Sequence, residues 1–326
     1  MFLNPRNKSQ DLLFYETLQR RTDLTNGEKR WFKTFQKGFV GECLYDEIFE
    51  DVGHDDVLVY RDLYLKFGKS VTQYDALVIN DNGIVVNEIK NYTGEYKVEG
   101  GDWFRGGQRI SEAPIAQLNR SVGKLIGLRN SVNGNFGVSG KLIFVSDDFY
   151  LQTDDNSLWT KIVVRMDLRR YLRKFRGGKI GNKSQFIVRL LSENIVENPY
   201  IDNNVDEGRL RKGLYCGQCG SFNLIKSRFH LVCSECESKE SNETHLLRAM
   251  SDYQFLFYGK DMTRNAFSYF INEEIHWKTV SRALLKHCYV NKNGVSTTYQ
   301  FKYKDLDDAL SKADTHIKYK DYLSKS

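Results

Sequence analysis

The chain has 326 residues, of which 40% are hydrophobic, 28% charged and 13% aromatic, with three prolines and a net charge of +6. That length predicts two or three domains, and the composition excludes a disordered or low-complexity protein. No run of about 18 apolar residues exists to span a membrane, and the opening MFLNPRNKSQDLLF lacks the apolar centre of a secretory signal, so a cytoplasmic location is expected.

Residues 9–21 and 26–50 carry helical periodicity, the second with apolar positions at Trp31, Phe35, Phe39, Leu44 and Ile48. Gly38 and Gly41 fall inside that pattern, in KGFVGE, and predict a close approach of the helix to another backbone. Strand-like runs follow at 56–65, 72–79 and 83–90, the last two joined by the hairpin signal NDNG. Residues 94–107 read as another hairpin, turning at Gly100-Gly101, and a helix is expected from Pro114 to Arg129. A short strand at 140–146, a basic helix around 166–176 and a strand at SQFIVRLL (184–191) come next. The polar stretch 197–210 reads as a linker.

Residues 161–183 hold nine Lys or Arg against one acid, Asp167. Such a run suits a phosphate backbone, with Arg169, Arg170, Arg173 and Lys174 as candidate contacts; a solvated helix face is the other reading. Further on, Cys216, Cys219, Cys233 and Cys236 form C-x2-C, thirteen residues, C-x2-C. Without an export signal this is metal-ligand spacing, and four thiolates make a closed tetrahedral site for one structural Zn²⁺, or for iron in its place. The module resembles a zinc ribbon; a redox dithiol pair is the alternative. Lys226, Arg228 and His230 on its hairpin either touch nucleic acid or face solvent. The single cysteines, Cys43 and Cys288, are expected to be small buried hydrophobes.

The segment from 245 returns to helical patterning, with a break near 273–276, and ends in a hairpin at VNKNGVSTTYQFKY, turned by Asn-Gly. KTVSRALLKHC sets Thr279, Arg282 and Lys286 opposite Val280, Ala283, Leu284 and Cys288. A helix of this kind followed by a hairpin resembles a helix-turn-helix with a wing, in which Arg282, Lys286 and Lys292 would contact DNA. A small packing domain without a ligand is equally open.

Chemistry concentrates in NEIK. Strand alternation puts Ile84, Val86, Glu88 and Lys90 on one face, and Asp75 sits on the partner strand, thirteen residues before Glu88. Two carboxylates converging there repel unless a cation lies between them. Mg²⁺ suits Asp75, Glu88 and the backbone carbonyl of Ile89, while Lys90 can orient the attacking water or neutralise transition-state charge. E-x-K alone also occurs by chance as a surface ion pair.

The neighbouring motifs are more specific. KGFVGE (37–42), YDALVI (74–79), NEIKNYTGEY (87–96), GGDWF (100–104) and APIAQLNRSVGKL (113–125) occur in an order that resembles the nuclease-related domain, NERD, of the PD-(D/E)xK restriction-endonuclease-like superfamily. The resemblance implies an α/β core with a mixed sheet flanked by helices. It also implies metal ligation by Asp75 and Glu88, a catalytic Lys90, an extra acid near the metal in Glu42, and Gln117 lining the site from the next helix. Ala113 departs from it, since many relatives have asparagine there.

The expected organisation is an N-terminal helical extension (1–25), the nuclease-related domain (26–200), the zinc ribbon (213–238) and a helical or winged-helix-like domain (245–326). The expected activity is Mg²⁺- or Mn²⁺-dependent hydrolysis of phosphodiester bonds, in DNA ahead of RNA, with a homodimer among the options. The alternative is a non-catalytic nucleic-acid-binding or regulatory protein built on a nuclease-like core.

Overall fold

The computed structural model describes residues 1–111, 113–200, 205–292, 296–313 and 319–323. The predicted linker therefore lies partly, and the Asn293-Gly294 turn wholly, outside the described residues. The chain divides into two compact units, one of Met1–Ser9 with Lys33–Tyr200, the other of Gln10–Phe32 with the residues after 200. This departs from the four-part organisation read from the sequence. The reason is one apolar cluster that joins Phe14 and Leu18 to Leu214, Leu231, Leu246, Phe267 and Leu284, so the N-terminal helix, cysteine module and C-terminal segment share a core.

Helix α1 (Gln10–Arg21) belongs to the second unit. Helix α2 (Asn26–Val52) begins with a capping box: Thr25 Oγ1 accepts from Glu28 N, and Glu28 accepts from Thr25 N. From Lys33 onward α2 is part of the first unit. There follow β1 (Leu58–Phe67), β2 (Ser70–Asn80), β3 (Gly83–Lys90), β4 (Gly94–Glu99), β5 (Asp102–Arg105), β6 (Gln108–Arg109), α3 (Pro114–Ser131), β7 (Gly137–Phe144), β8 (Phe149–Thr153), β9 (Ile162–Val163), α4 (Arg165–Leu172) and α5 (Asn182–Ser192).

The central sheet has the order β1-β2-β3-β7-β9, antiparallel from β1 to β3 and parallel from β3 to β9. A parallel step needs a long crossover, which here contains α3. A second sheet runs β6-β5-β4-β8. Alternation sorts the central strands cleanly. Leu77, Ile79, Ile84 and Val86 pack in one cluster with Leu118 and Leu125 of α3 and Ile187 and Leu191 of α5. Ala76, Val78 and Ile143 pack in another, with Tyr45 and Phe49 of α2 and Leu168 and Leu172 of α4. The two clusters are the two faces of the mixed sheet.

The expected strand at 184–191 is instead helix α5. Its buried residues, Ser184, Ile187, Leu190 and Leu191, follow the helical period, and Phe186 is exposed where an alternating strand would bury it. Asp81 fixes the helix start by accepting from the backbone of Gly181 and Ser184.

The second unit continues with β10 (Leu224–Lys226), β11 (His230–Cys233), β12 (Lys239–Ser241), α6 (Asn242–Leu256), β13 (Met262–Thr263), α7 (Arg264–Phe270), α8 (Trp277–His287), β14 (Cys288–Asn291), β15 (Thr298–Phe301) and α9 (Leu306–Ala313). Strands β10 to β12 form an antiparallel sheet, and β13-β15-β14 a second. The turn between α7 and α8 holds Asn272 and Glu273 at positive φ, which stops α7.

Candidate functional site

The nuclease-like residues meet where two strands part. The β2–β3 ladder ends at Ala76↔Asn87; beyond it β3 stays paired with β7 as far as Lys90↔Phe144, while β2 stays paired with β1. In the fork, Asp75 Oδ2 accepts from the backbone N–H of Ile89 at 2.8 Å, replacing the lost ladder bond. Glu88 is 1% exposed, and Lys90 Nζ donates to its Oε1 at 2.8 Å and to Gln117 Oε1 of α3 at 3.0 Å. Asp75, Glu88, Lys90 and Gln117 are thus brought to one end of the sheet, on the face that α3 covers.

This is not a surface ion pair. Burial, and then the charge of Asp75, push the Glu88 carboxyl up to about 7. Burial also works against the Lys90 ammonium, but Glu88 and Asp75 outweigh it and hold its pKa above the usual lysine value. Glu42 comes from α2 and is pushed up to about 8, by burial first and Asp75 second, with Arg6 opposing. Its carboxylate is 2.6 Å from Arg6 Nη1.

Several neighbours escaped the sequence reading. Arg6 also grips Asp46, with Nε to Oδ2 at 2.6 Å and Nη2 to Oδ1 at 3.0 Å. Asp46 lies one helical turn from Glu42, a spacing that could have flagged it. Asp62 interrupts β1 with φ 46°, between the pairs Arg61↔Ala76 and Leu63↔Tyr74 and therefore opposite Asp75. A non-glycine residue in that region marks local strain, and here it sits at the fork. Gly41 behaves as expected in part: an added Cβ would lie 2.5 Å from Asn91 Cβ, so its lack of a side chain lets α2 reach the strand-end residue after Lys90. Gly38 has open space around it. Ala113 is the N-cap of α3 and makes no side-chain cap bond.

The four cysteines converge. Their sulfur atoms all lie within 4.8 Å of one another, with Cys216–Cys236 at 3.6 Å and Cys219–Cys233 at 3.5 Å. Four Zn–S bonds of about 2.3 Å require sulfur separations of about 3.8 Å, so the cluster fits a structural zinc site. The two knuckles repeat one hydrogen-bond pattern. Cys216 O accepts from Gly220 N and Cys216 N donates to Ser221 O, while Cys233 O accepts from Glu237 N and Cys233 N donates to Ser238 O. Each pattern needs a left-handed residue at its fourth step, Gly220 at φ 74° and Glu237 at φ 59°. A buried pair braces the first knuckle: Glu240 accepts from Gly217 N at 2.7 Å and pairs with Arg248, whose Nη1 donates to Tyr215 O. Among the described residues this is the group of three or more ligating side chains drawn so close. Glu42, Asp75 and Glu88 form no such trio.

The expected nucleic-acid contacts scatter. Arg169 pairs with Asp51, Arg170 with Asp167, and Arg173 and Lys174 are exposed in the 3₁₀ turn after α4. Arg282 is exposed on α8, Lys286 is engaged by Glu243 at 2.5 Å, and Lys292 is exposed after β14. Lys226 and Arg228 face outward, but His230 is buried and its Nε2 meets the Lys320 carbonyl, which corrects the open-face reading of that residue. Cys288 is buried as expected, whereas Cys43 is half-buried. Among the described residues no helix is long and apolar enough to cross a membrane.

No curated protein and no solved structure matches the chain. Residues 37–145, which carry Glu42, Asp75, Glu88, Lys90 and Gln117, match the NERD family model, and this part of the chain is a nuclease-related domain.

Proposed function

We propose that the first unit is a Mg²⁺-dependent nuclease (with Mn²⁺ able to substitute) that hydrolyses phosphodiester bonds in DNA. The observation that supports this most is the hydrogen-bonded Glu88–Lys90–Gln117 chain, with Glu88 buried, beside Asp75 at the open end of a strand fork and inside the matched domain. A structural ion pair has no need of a second, half-buried carboxylate whose charge adds to burial in pushing the first up to about 7. Asp75 and Glu88, with the backbone carbonyl of Ile89, would hold the ion, which when bound neutralises phosphate charge and acidifies water. Lys90 then keeps its proton and directs it at the attacking water or the developing phosphorane charge. Gln117 holds Lys90 in place from α3, a positioning role. Asp75→Ala, Glu88→Ala and Lys90→Ala should each nearly abolish divalent-dependent cutting in a panel of single-stranded, duplex and flapped DNA and RNA; Glu88→Ala cutting at the wild-type rate would refute the assignment.

The second unit, in this reading, supplies affinity. The cysteine cluster holds one zinc ion, to be counted by elemental analysis and lost in Cys216→Ser. α8 presents Lys278 and Arg282 outward, followed by Lys292 beyond β14, a basic surface suited to a DNA backbone. Lys286, engaged by Glu243, is a weaker contact than its spacing suggested.

A further inference from the structure

The N-terminal segment is stitched to the first unit and delivers one side chain to the site. Phe2 bridges Val59 in parallel fashion, and Leu3 N donates to Val59 O at 2.8 Å. Asn4 exchanges hydrogen bonds with the Arg61 backbone, at 2.6 and 2.8 Å. Two residues later the Arg6 guanidinium, its side chain 4% exposed, spends all three nitrogens on the site. It meets Glu42 at 2.6 Å, Asp46 through two bonds, and the main-chain oxygen of Asp75 at 3.1 Å. Arg61 adds a second contact to Asp46 at 3.2 Å.

We propose that Arg6 is a built-in cation of the nuclease site, filling the place beside Glu42 and Asp46 where a second metal ion would sit and confining the unit to one divalent ion at Asp75 and Glu88. The inference rests on the metal-ligand reading given above and adds a positioning residue from outside the matched stretch 37–145. Charge supports it. The adjacent Glu42 and Asp46 carboxylates already have the cation that two neighbouring acids require, the Arg6 guanidinium, with Arg61 beside it on Asp46. Geometry supports it as well. Two-metal sites place their ions about 3.5–4 Å apart between shared carboxylates. Here the guanidinium already holds the approach to Glu42 and Asp46, bonded to both carboxylates, and it also donates to the main-chain oxygen of Asp75. The planar fork makes four hydrogen bonds here, two of them to Asp46, one more than a lysine ammonium has donors for.

The test is the stoichiometry of Mn²⁺ binding to the full-length zinc-loaded protein, read from free Mn²⁺ by electron paramagnetic resonance. Wild type should bind one Mn²⁺ per chain, and Asp75→Asn should weaken it at least tenfold. Arg6→Gln should bind a second ion, and Arg6→Lys should stay at one with altered affinity for the first. Circular dichroism identifies the variants that fold, and the wild-type count decides even if Arg6→Gln does not. Two ions on wild type, or one on folded Arg6→Gln with wild-type affinity, overturns the inference while leaving Asp75 and Glu88 as ligands. No bound Mn²⁺, or binding indifferent to Asp75→Asn, overturns the ligand reading and this inference together.

Discussion

In the second unit the buried guanidinium groups have carboxylate partners. Arg21, 1% exposed, donates to Asp252 at 2.9 Å and to the carbonyls of Arg211 and Gly213, and Arg248 pairs with Glu240. In the first unit Asp75, Glu88 and Glu42 crowd together, and two of the three are pushed toward neutrality at physiological pH. Paired burial is what a fold needs to keep charges inside. Unbalanced burial costs stability and persists where a cation or a reaction uses it. The contrast separates the unit with the proposed nuclease site from the unit whose buried arginines are paired.

Substitutions should break that contrast in opposite ways. The largest effect is expected from Glu88→Gln, which should lower divalent-dependent cleavage by on the order of 10²–10³-fold, as loss of a group stabilising developing charge does. The same change removes a carboxylate repelled by Asp75, so the melting temperature without added metal should hold or rise. A drop in both would return Glu88 to a structural role. Asp252→Ala should do the reverse. It strands Arg21 among Phe270, Tyr215 and Phe222 and should cost about 3–5 kcal/mol in denaturant unfolding of the second unit. Cleavage of short substrates by protein that remains folded should be near normal.

Acidification gives opposite signs in the two units. Glu88 has its folded value raised from 4.5 to about 7, so the folded form takes up its proton before the unfolded chain does. Lowering the pH through that window should stabilise the first unit when no divalent ion is added. His245 is held down to about 3, by burial and then by Arg248. The unfolded chain takes that proton first, near 6.5, so the same acidification should destabilise the second unit by about 1.4 kcal/mol per pH unit until the folded value is reached. Hydrogen exchange followed separately in β3 and α6 measures both slopes; parallel slopes would erase the contrast. The smallest expected effect is a gain: Ala113→Asn supplies the missing cap of α3 at an extended residue and should add about 1 kcal/mol.

What could be read from the sequence followed contact distance along the chain. The β2–β3 hairpin was legible from NDNG, and with it the meeting of Asp75 and Glu88, because a short turn fixes their register. Gln117 and Glu42 were legible through the family motifs, since neither lies near Glu88 in sequence. The knuckle spacing revealed the cysteine cluster because each pair is a local turn. Arg6 left no signal, lying 69 residues from the Asp75 carbonyl it binds. Helix α5 was misread because eight apolar-rich residues fit either period until a neighbour such as Asp81 is known to cap the first turn. The grouping of α1 with α6 was beyond local patterning: it depends on Leu18 and Phe14 finding Leu246 and Leu247 more than 200 residues later.

That last grouping has a consequence for how the protein is made. During synthesis the first unit is complete once Tyr200 has left the ribosome, whereas α1, made earlier, must wait for the chain's final third. Until then Phe14 and Leu18 lack the core they enter, so the apolar face of this helix stays uncovered on the growing chain. A fragment ending at residue 200 would carry the same orphaned helix permanently. Its solubility would improve by replacing residues 10–32 with a polar linker while keeping the first nine residues, and Arg6 with them.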